Sequence, residues 1–429
     1  MAPRQWRRQE VARLQELVTA LGSAADSGAA GFPIADIFPR DETQAGAFVA
    51  AHPEWDGRGV KVAIFDTGVD PGAGGLAVTT DGLPKIIDCV DATGSGDVDT
   101  STTLEADNTD GAAELEGLTG RVLAIPAADA HPAFANPTGR WHVGMLSAYR
   151  LFPGPLVARL RRARKDEWDL GQRQLEQRLE AEIAAAASSG ETDAEVLADL
   201  RLRLDEARAL DGSPTDADPG PIFDVVAWHD GAHWKAVVDT TEAGDLAEAQ
   251  PMRDFKVAQE WSTFGPSGEA ADAWLLNFNL NVYSEGNIVE VVTNAGAHGT
   301  HVAATTAGYF PDQPELNGIA PGAQLISVKV GDSRLGGSET GTGLIRGLIH
   351  AINAGCHLIN MSFGEATSLP HTGRIGELLE EAIHRHKIIF VTSAGNSGPA
   401  LGTVGSPAAQ AVGTISVGAL ISPAMMDVT

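Results

Sequence analysis

Three short segments hold side chains suited to acyl transfer: a carboxylate at Asp66, an imidazole at His298 and an amide at Asn396. His298 stands in Gly296-Ala297-His298-Gly299-Thr300-His301-Val302-Ala303. Its small neighbours let a substrate and a nucleophile come close to the ring, as a general base requires. Two other readings stay open for this octapeptide, a buried structural histidine or a metal ligand paired with His301. A zinc site would need a third ligand and normally a glutamate between the histidines, where Gly299 and Thr300 stand. Asp66-Thr67-Gly68 ends the apolar run at residues 60–65, so the carboxylate is delivered at the end of a strand. The same tripeptide marks peptidases in which two aspartates share a proton, and it also occurs in plain turns. The nearest second copy, Asp239-Thr240-Thr241, lacks the glycine, and the paired scheme leaves His298 without a role. Asn396, in Thr392-Ser393-Ala394-Gly395-Asn396-Ser397-Gly398-Pro399, follows another apolar run. An amide there can aim its N–H at a developing oxyanion, and a simple turn is the alternative.

The elements that must position these groups follow from the hydrophobic pattern. Strand-like and helical stretches alternate from Gly296 onward, at 324–330, 342–354, 358–362, 374–386 and 388–393. That alternation predicts βαβ units and a parallel sheet covered by helices on both faces. In such a sheet all strand ends of one kind share an edge, so the aspartate and the asparagine, each following a strand, stand at that edge together. The stretch 72–140 is rich in Gly, Asp and Thr and predicts loop-rich β structure, while 221–292 again alternates like strands. Between them an Ala/Leu/Arg/Glu-rich stretch, about 154–211, predicts a helical hairpin with a solvated charged face. Apolar residues at helical spacing over 5–21 predict a leader helix, followed by a Gly/Ala/Ser linker at 23–31.

Composition narrows the function classes. The 429 residues are 43% hydrophobic, enough for a sizeable core, and 57 acidic against 30 basic side chains give a net charge of −27. Such a surface repels phosphate backbones, so nucleic acid is not an expected partner. Cys89 and Cys356 are the two cysteines and predict neither a disulfide framework nor a zinc site. Charged residues interrupt the N-terminal stretch before any apolar signal region forms, and no apolar run has membrane-spanning length. The expected chain is cytoplasmic, with no membrane partner, metal or cofactor. Gly341-Thr342-Gly343 lacks the third-glycine spacing and the lysine of a phosphate loop and reads as a helix start.

Taken together, the chain order Asp, His, Asn resembles the subtilisin superfamily of serine peptidases, in which the nucleophilic serine comes last. The resemblance is carried by Asp66-Thr67-Gly68, His298-Gly299-Thr300-His301-Val302-Ala303, Asn360-Met361-Ser362-Phe363-Gly364 and Ser393-Ala394-Gly395-Asn396. Within the superfamily the chain is similar to the tripeptidyl peptidase II family from about residue 37 onward. Asp56-Gly57-Arg58-Gly59, Thr93-Gly94-Ser95-Gly96-Asp97-Val98, Trp228-His229-Asp230-Gly231 and Gly364-Glu365-Ala366-Thr367 carry that likeness. Asp66 and His298 are 232 positions apart, against about 32 in the compact bacterial enzymes, which implies an inserted domain of about two hundred residues.

The resemblance implies an α/β, subtilisin-like fold, incomplete at its C-terminus, with a large α+β insertion. Its expected divisions are a leader and linker at 1–31, a peptidase core at 32–75 and 293–429, and the insertion at 76–292. It implies that Asp66 orients His298, that Asn396 binds the oxyanion, and that Ser362 and Gly364 lie along the substrate backbone. It further implies that Glu339 and Glu365 hold the free amino terminus of a peptide substrate, and that the full-length protein is a homo-oligomer. No Gly-Thr-Ser-Met-Ala-type segment follows Asn396, so the nucleophilic serine is absent from these residues. The expected activity, release of tripeptides from free N-termini, is therefore that of the family, with this chain inactive alone. The alternative is a pseudo-peptidase that binds peptide N-termini without cutting.

Overall fold

The computed structural model describes residues 42–109, 112–189, 194–209, 218–265, 274–366, 373–407 and 411–426. The leader helix and linker expected before residue 32 lie outside them. Among the described residues, a parallel sheet contains β1 (Lys61–Asp66), β2 (Ile86–Asp91), β3 (Gln324–Lys329), β4 (Leu358–Met361), β5 (Ile389–Ser393) and β6 (Ile415–Val417). Their spatial order is β2-β3-β1-β4-β5-β6. β1 and β3 sit inside the sheet and are buried on both faces, which is why their sequences read as unbroken apolar runs.

Side-chain alternation along β1 decides which way each residue points. Ala63 and Phe65 join a core made with helix α2 (Gly341–Asn353) and helix α3 (Arg374–His384), through Leu344, Leu348, Leu379 and Ala382. Val62 and Ile64 face the other way, toward Ala303 and Ala307 of helix α1 (His298–Ala307), a face that β1 shares with Leu325 of β3. Asp66 has the parity of Val62 and Ile64, so its carboxylate emerges on the α1 side. Register confirms that the strand ends align: Val90, Val328, Phe65, Met361, Thr392 and Ser416 stand at one level across the sheet. At the far side, β6 is an edge strand exposed along its length, with Ile415 and Val417 each 52% exposed.

Chain between β2 and α1 builds three antiparallel sheets among the described residues, and two of them pack face to face. One runs Met252–Arg253, Trp234–Val238, Ile222–His229, Arg140–Ser147, Thr102–Glu105, and the other Ser262–Thr263, Asn277–Tyr283, Ile288–Thr293, Asp97–Asp99. Phe223, Val225 and Ala227 meet Leu280, Val289 and Val291 between them. Helices Gly154–Ser189 and Ala194–Ala209 pair through Leu179, Leu204 and Ala207, and the first is rooted in the sheet core by Leu156 and Leu160. The parallel sheet takes its edge strand β2 from within 76–292, so we place the start of the insertion after Asp91 rather than at residue 76. Asp88 and Asp91 break the apolar run of this strand, which hid it from the sequence pattern. No helix among the described residues is long and apolar enough to cross a membrane.

A buried polar seam joins insertion and sheet. Lys329 of β3 donates to Asp91 of β2 at 2.9 Å and to Ser95 at 2.8 Å, and Ser95 donates to Asp91 at 2.6 Å. Asn281 spends both amide hydrogens there, on the Cys89 carbonyl and on Glu290, each at 2.8 Å. Burial first, and then the charge of Asp91, push the Glu290 carboxyl up to about 8. A carboxyl raised from 4.5 to about 8 on folding adds stability that is complete below 4.5 and is lost as pH rises through 8. Unfolding free energy should therefore fall across that window by a few kcal/mol, at up to about 1.4 kcal/mol per pH unit. Glu290→Gln should flatten the slope relative to the wild type, which urea denaturation at a series of pH values measures.

Candidate active site

Asp66 closes β1 with its carboxylate fully shielded from solvent, while the His298 side chain is 54% exposed. The Nδ1 of His298 lies 2.8 Å from Oδ1 and 3.0 Å from Oδ2 of Asp66. The Thr67 amide donates to Oδ1 at 2.7 Å. Burial pushes the Asp66 carboxyl above the usual range, and the hydrogen bonds from His298 and Thr67 work against that rise. With Nδ1 donating to the carboxylate, a neutral imidazole keeps its lone pair at Nε2. A ring held in one tautomer in this way has the geometry a general base requires.

Local chain geometry forces the pair together. Gly68 adopts φ +98, a conformation costly for any residue with a Cβ, and turns the chain sharply after Asp66. The Thr67 hydroxyl donates to the Gly296 carbonyl at 3.0 Å and accepts from the Gly299 amide at 2.9 Å, latching the first turn of α1 onto the strand end. Gly299 has no side chain because none fits: a Cβ there would stand 2.4 Å from the Gly68 carbonyl oxygen and 3.0 Å from the Asp66 Cβ. Thr300 extends the latch by accepting from the Asp70 amide at 2.9 Å.

The Phe363 ring stands edge-on to His298 at a centroid distance of 6.3 Å. Ser362 and Gly364 flank it, just past the end of β4. Ser362 accepts from the Asn360 amide at 3.1 Å, and Gly364 lies so close to the Ser406 carbonyl that a Cβ would stand 2.6 Å from it. Glu365 and Ala366 pair antiparallel with Ser406 and Gly405. Glu339 faces Gly331 in an antiparallel bridge, and Gly331 in turn abuts Phe363 and Thr67. Asn396 is exposed in the loop after β5, beside Gly395 at φ +92. Its strand is two places from β1, about 10 Å at ordinary strand spacing. Sequence reasoning passed over Phe363 and the Thr67 hydroxyl. The first was signalled by an aromatic between Ser and Gly at a strand end, and the second by a hydroxyl one residue past a buried carboxylate. Among the described residues no group of three His, Cys, Asp or Glu side chains is arranged to hold a metal.

The sequence profile of the subtilase family matches residues 57–427. Tripeptidyl-peptidase 2 of Oryza sativa subsp. japonica is 45% identical over 91% of this chain and 28% of its own length. Its counterpart in Caenorhabditis elegans is 36% identical over the same share of each chain. A crystal structure of tripeptidyl peptidase 2 aligns with a TM-score of 0.65 at 30% identity, over 88% of this chain and 29% of that one. The chain thus spans less than a third of the length of these relatives.

The Thr67 latch can be tested by removal. Thr67→Val keeps the shape but loses both hydrogen bonds, and should lower the unfolding free energy by about 1–3 kcal/mol. Thr67→Ser should retain most of the stability. Chemical denaturation of the two variants beside the wild type reads the difference.

Proposed function

The chain belongs to the subtilase family, and from that premise we propose that it supplies the aspartate, the histidine and the peptide-binding edge of a serine exopeptidase that releases tripeptides from free N-termini. The observation that carries the reading is the fully buried Asp66 carboxylate gripping Nδ1 of a half-exposed His298. In this mechanism His298 Nε2 takes the proton of a serine hydroxyl as the oxygen attacks the scissile carbonyl. Asp66 holds the required tautomer and stabilises the imidazolium that forms. His298 then returns the proton to the departing amine. The Asn396 amide donates to the oxyanion, and Ser362 and Gly364 offer their backbone to the substrate strand. Acyl transfer of this kind calls on no metal or cofactor.

Glu339 and Glu365 are assigned to the substrate's α-amine. An α-amino group, with an ordinary pKa near 7.7–8.0, is largely protonated at neutral pH and suits carboxylate capture by charge-assisted hydrogen bonds. A captured amine at a set distance from His298 measures off a short product. A cytoplasmic location and a homo-oligomeric full-length protein belong to the same proposal. The 429 residues contain no Gly-Thr-Ser-Met-Ala-type segment. We therefore assign them peptide binding without turnover. A second reading is a non-catalytic binder of peptide N-termini, and serine-directed phosphonate labelling of the full-length protein separates the two.

Two outcomes test the proposal. A tripeptide should bind the chain at least about tenfold more tightly than its N-acetyl form, and the preference should fade as pH rises past about 8 and the amine loses its proton. Equal affinity at pH 7 by calorimetric titration would remove amine capture. In the full-length protein, Asp66→Asn should lower kcat by about 10⁴; an unchanged rate would defeat the role given to Asp66.

A further inference from the structure

Two side chains of the loop that carries Glu339, Ser333 and Arg334, tie it to chain of the insertion. Inside the loop, Asp332 N donates to the Ser338 carbonyl at 3.0 Å, Leu335 N to the Asp332 carbonyl at 3.0 Å, and Gly337 N to the same carbonyl at 2.8 Å. The Asp332 carboxylate, on a residue only 2% exposed, accepts from Arg334 three ways: from N and Nε at 2.9 Å, and from Nη2 at 2.6 Å. The bridge between Gly331 and Glu339 closes the base of the loop.

Nothing apolar holds this unit down, since its one large hydrophobic side chain, Leu335, is 53% exposed. Gly336 and Gly337 have positive φ and open space where a Cβ would stand. What fixes the loop is polar. Arg334 Nη2 donates to the Thr93 carbonyl at 3.1 Å, just past β2. Ser333 Oγ donates at 2.7 Å to the carbonyl of Leu151, a fully buried residue just before the long helix Gly154–Ser189.

We propose that Ser333 and Arg334 are positioning residues through which the insertion sets where Glu339 stands relative to His298. The proposal rests on the assignment of Glu339 to the substrate amine. Gly331 is the fulcrum: it abuts Phe363 and Thr67, so a shift of the loop moves Glu339 against a fixed His298 and Phe363. The insertion thereby sets the distance from amine to scissile bond, and with it the length of peptide that fits.

Calorimetric titration of the 429-residue chain with a tripeptide and with its N-acetyl form tests this in the wild type, Ser333→Ala, Ser333→Thr and Arg334→Met. Ser333→Ala should weaken the free tripeptide about 5- to 10-fold, the loss of one hydrogen bond, and Arg334→Met, which also strips the Asp332 carboxylate of its guanidinium, by at least as much; both should leave the acetylated form within about twofold. Ser333→Thr keeps the hydroxyl and should restore wild-type affinity. Unfolding midpoints measured alongside establish that each variant is folded. Retention of the free-amine preference in both variants, or equal weakening of both peptides, overturns the proposal. A wild type that shows no preference overturns the amine-capture assignment itself, and the proposal falls with it.

Discussion

A carboxylate without access to water is expensive, and the architecture around Asp66 is arranged to offset that expense at one point. The side chain has two kinds of partner, the main-chain amide of Thr67 and the imidazole of His298. The amide belongs to the turn that Gly68 makes possible, and the imidazole belongs to a helix that can approach only because Gly299 has no side chain. Strand end, turn and helix start are therefore one mechanical unit, with a fully buried charge as its reason to stay assembled. A histidine held this way keeps its tautomer through side-chain fluctuations, because leaving would strand an unsatisfied carboxylate in the core.

Much of this was legible from the residues because it depends on local rules. The apolar run 60–65 predicts a buried strand, and strand parity explains why Asp66 meets α1 rather than the α2 face. Alternating strands and helices after Gly296 predict the covered parallel sheet. What was not legible depends on distant partners. β2 carries Asp88 and Asp91 in a run that would otherwise be apolar. Its acids make sense only once Lys329, 238 positions away, is seen against Asp91. The ties from Ser333 to Leu151 and from Arg334 to Thr93 likewise join residues with no shared local pattern. A serine or an arginine on an acidic, Gly-rich chain has no signature that says what it will hold.

The seam between insertion and sheet adds a polar lock to the apolar contact that Phe255 and Val292 make with Ile86 and Cys89. Asp91, Lys329, Ser95, Asn281 and Glu290 satisfy one another in the interior. A network of this kind tolerates little displacement, since any gap leaves a buried polar group unpaired at a cost of about 1–3 kcal/mol. It makes the insertion a rigid neighbour of β2 and β3 rather than a tethered accessory, which is the condition for it to act on the loop above β3.

The outer edge of the sheet has a different consequence. β6 sets exposed Ile415 and Val417 at the outer edge of the described sheet, apolar surface on which another chain can adhere. Against this stands a net charge of −27, which drives identical molecules apart. That repulsion reaches about 10 Å in 0.1 M salt and about 3 Å in 1 M. Colloidal behaviour of the chain is thus a contest between a short-ranged adhesive edge and an ionic barrier of adjustable range, and dilute salt is the medium in which the barrier holds.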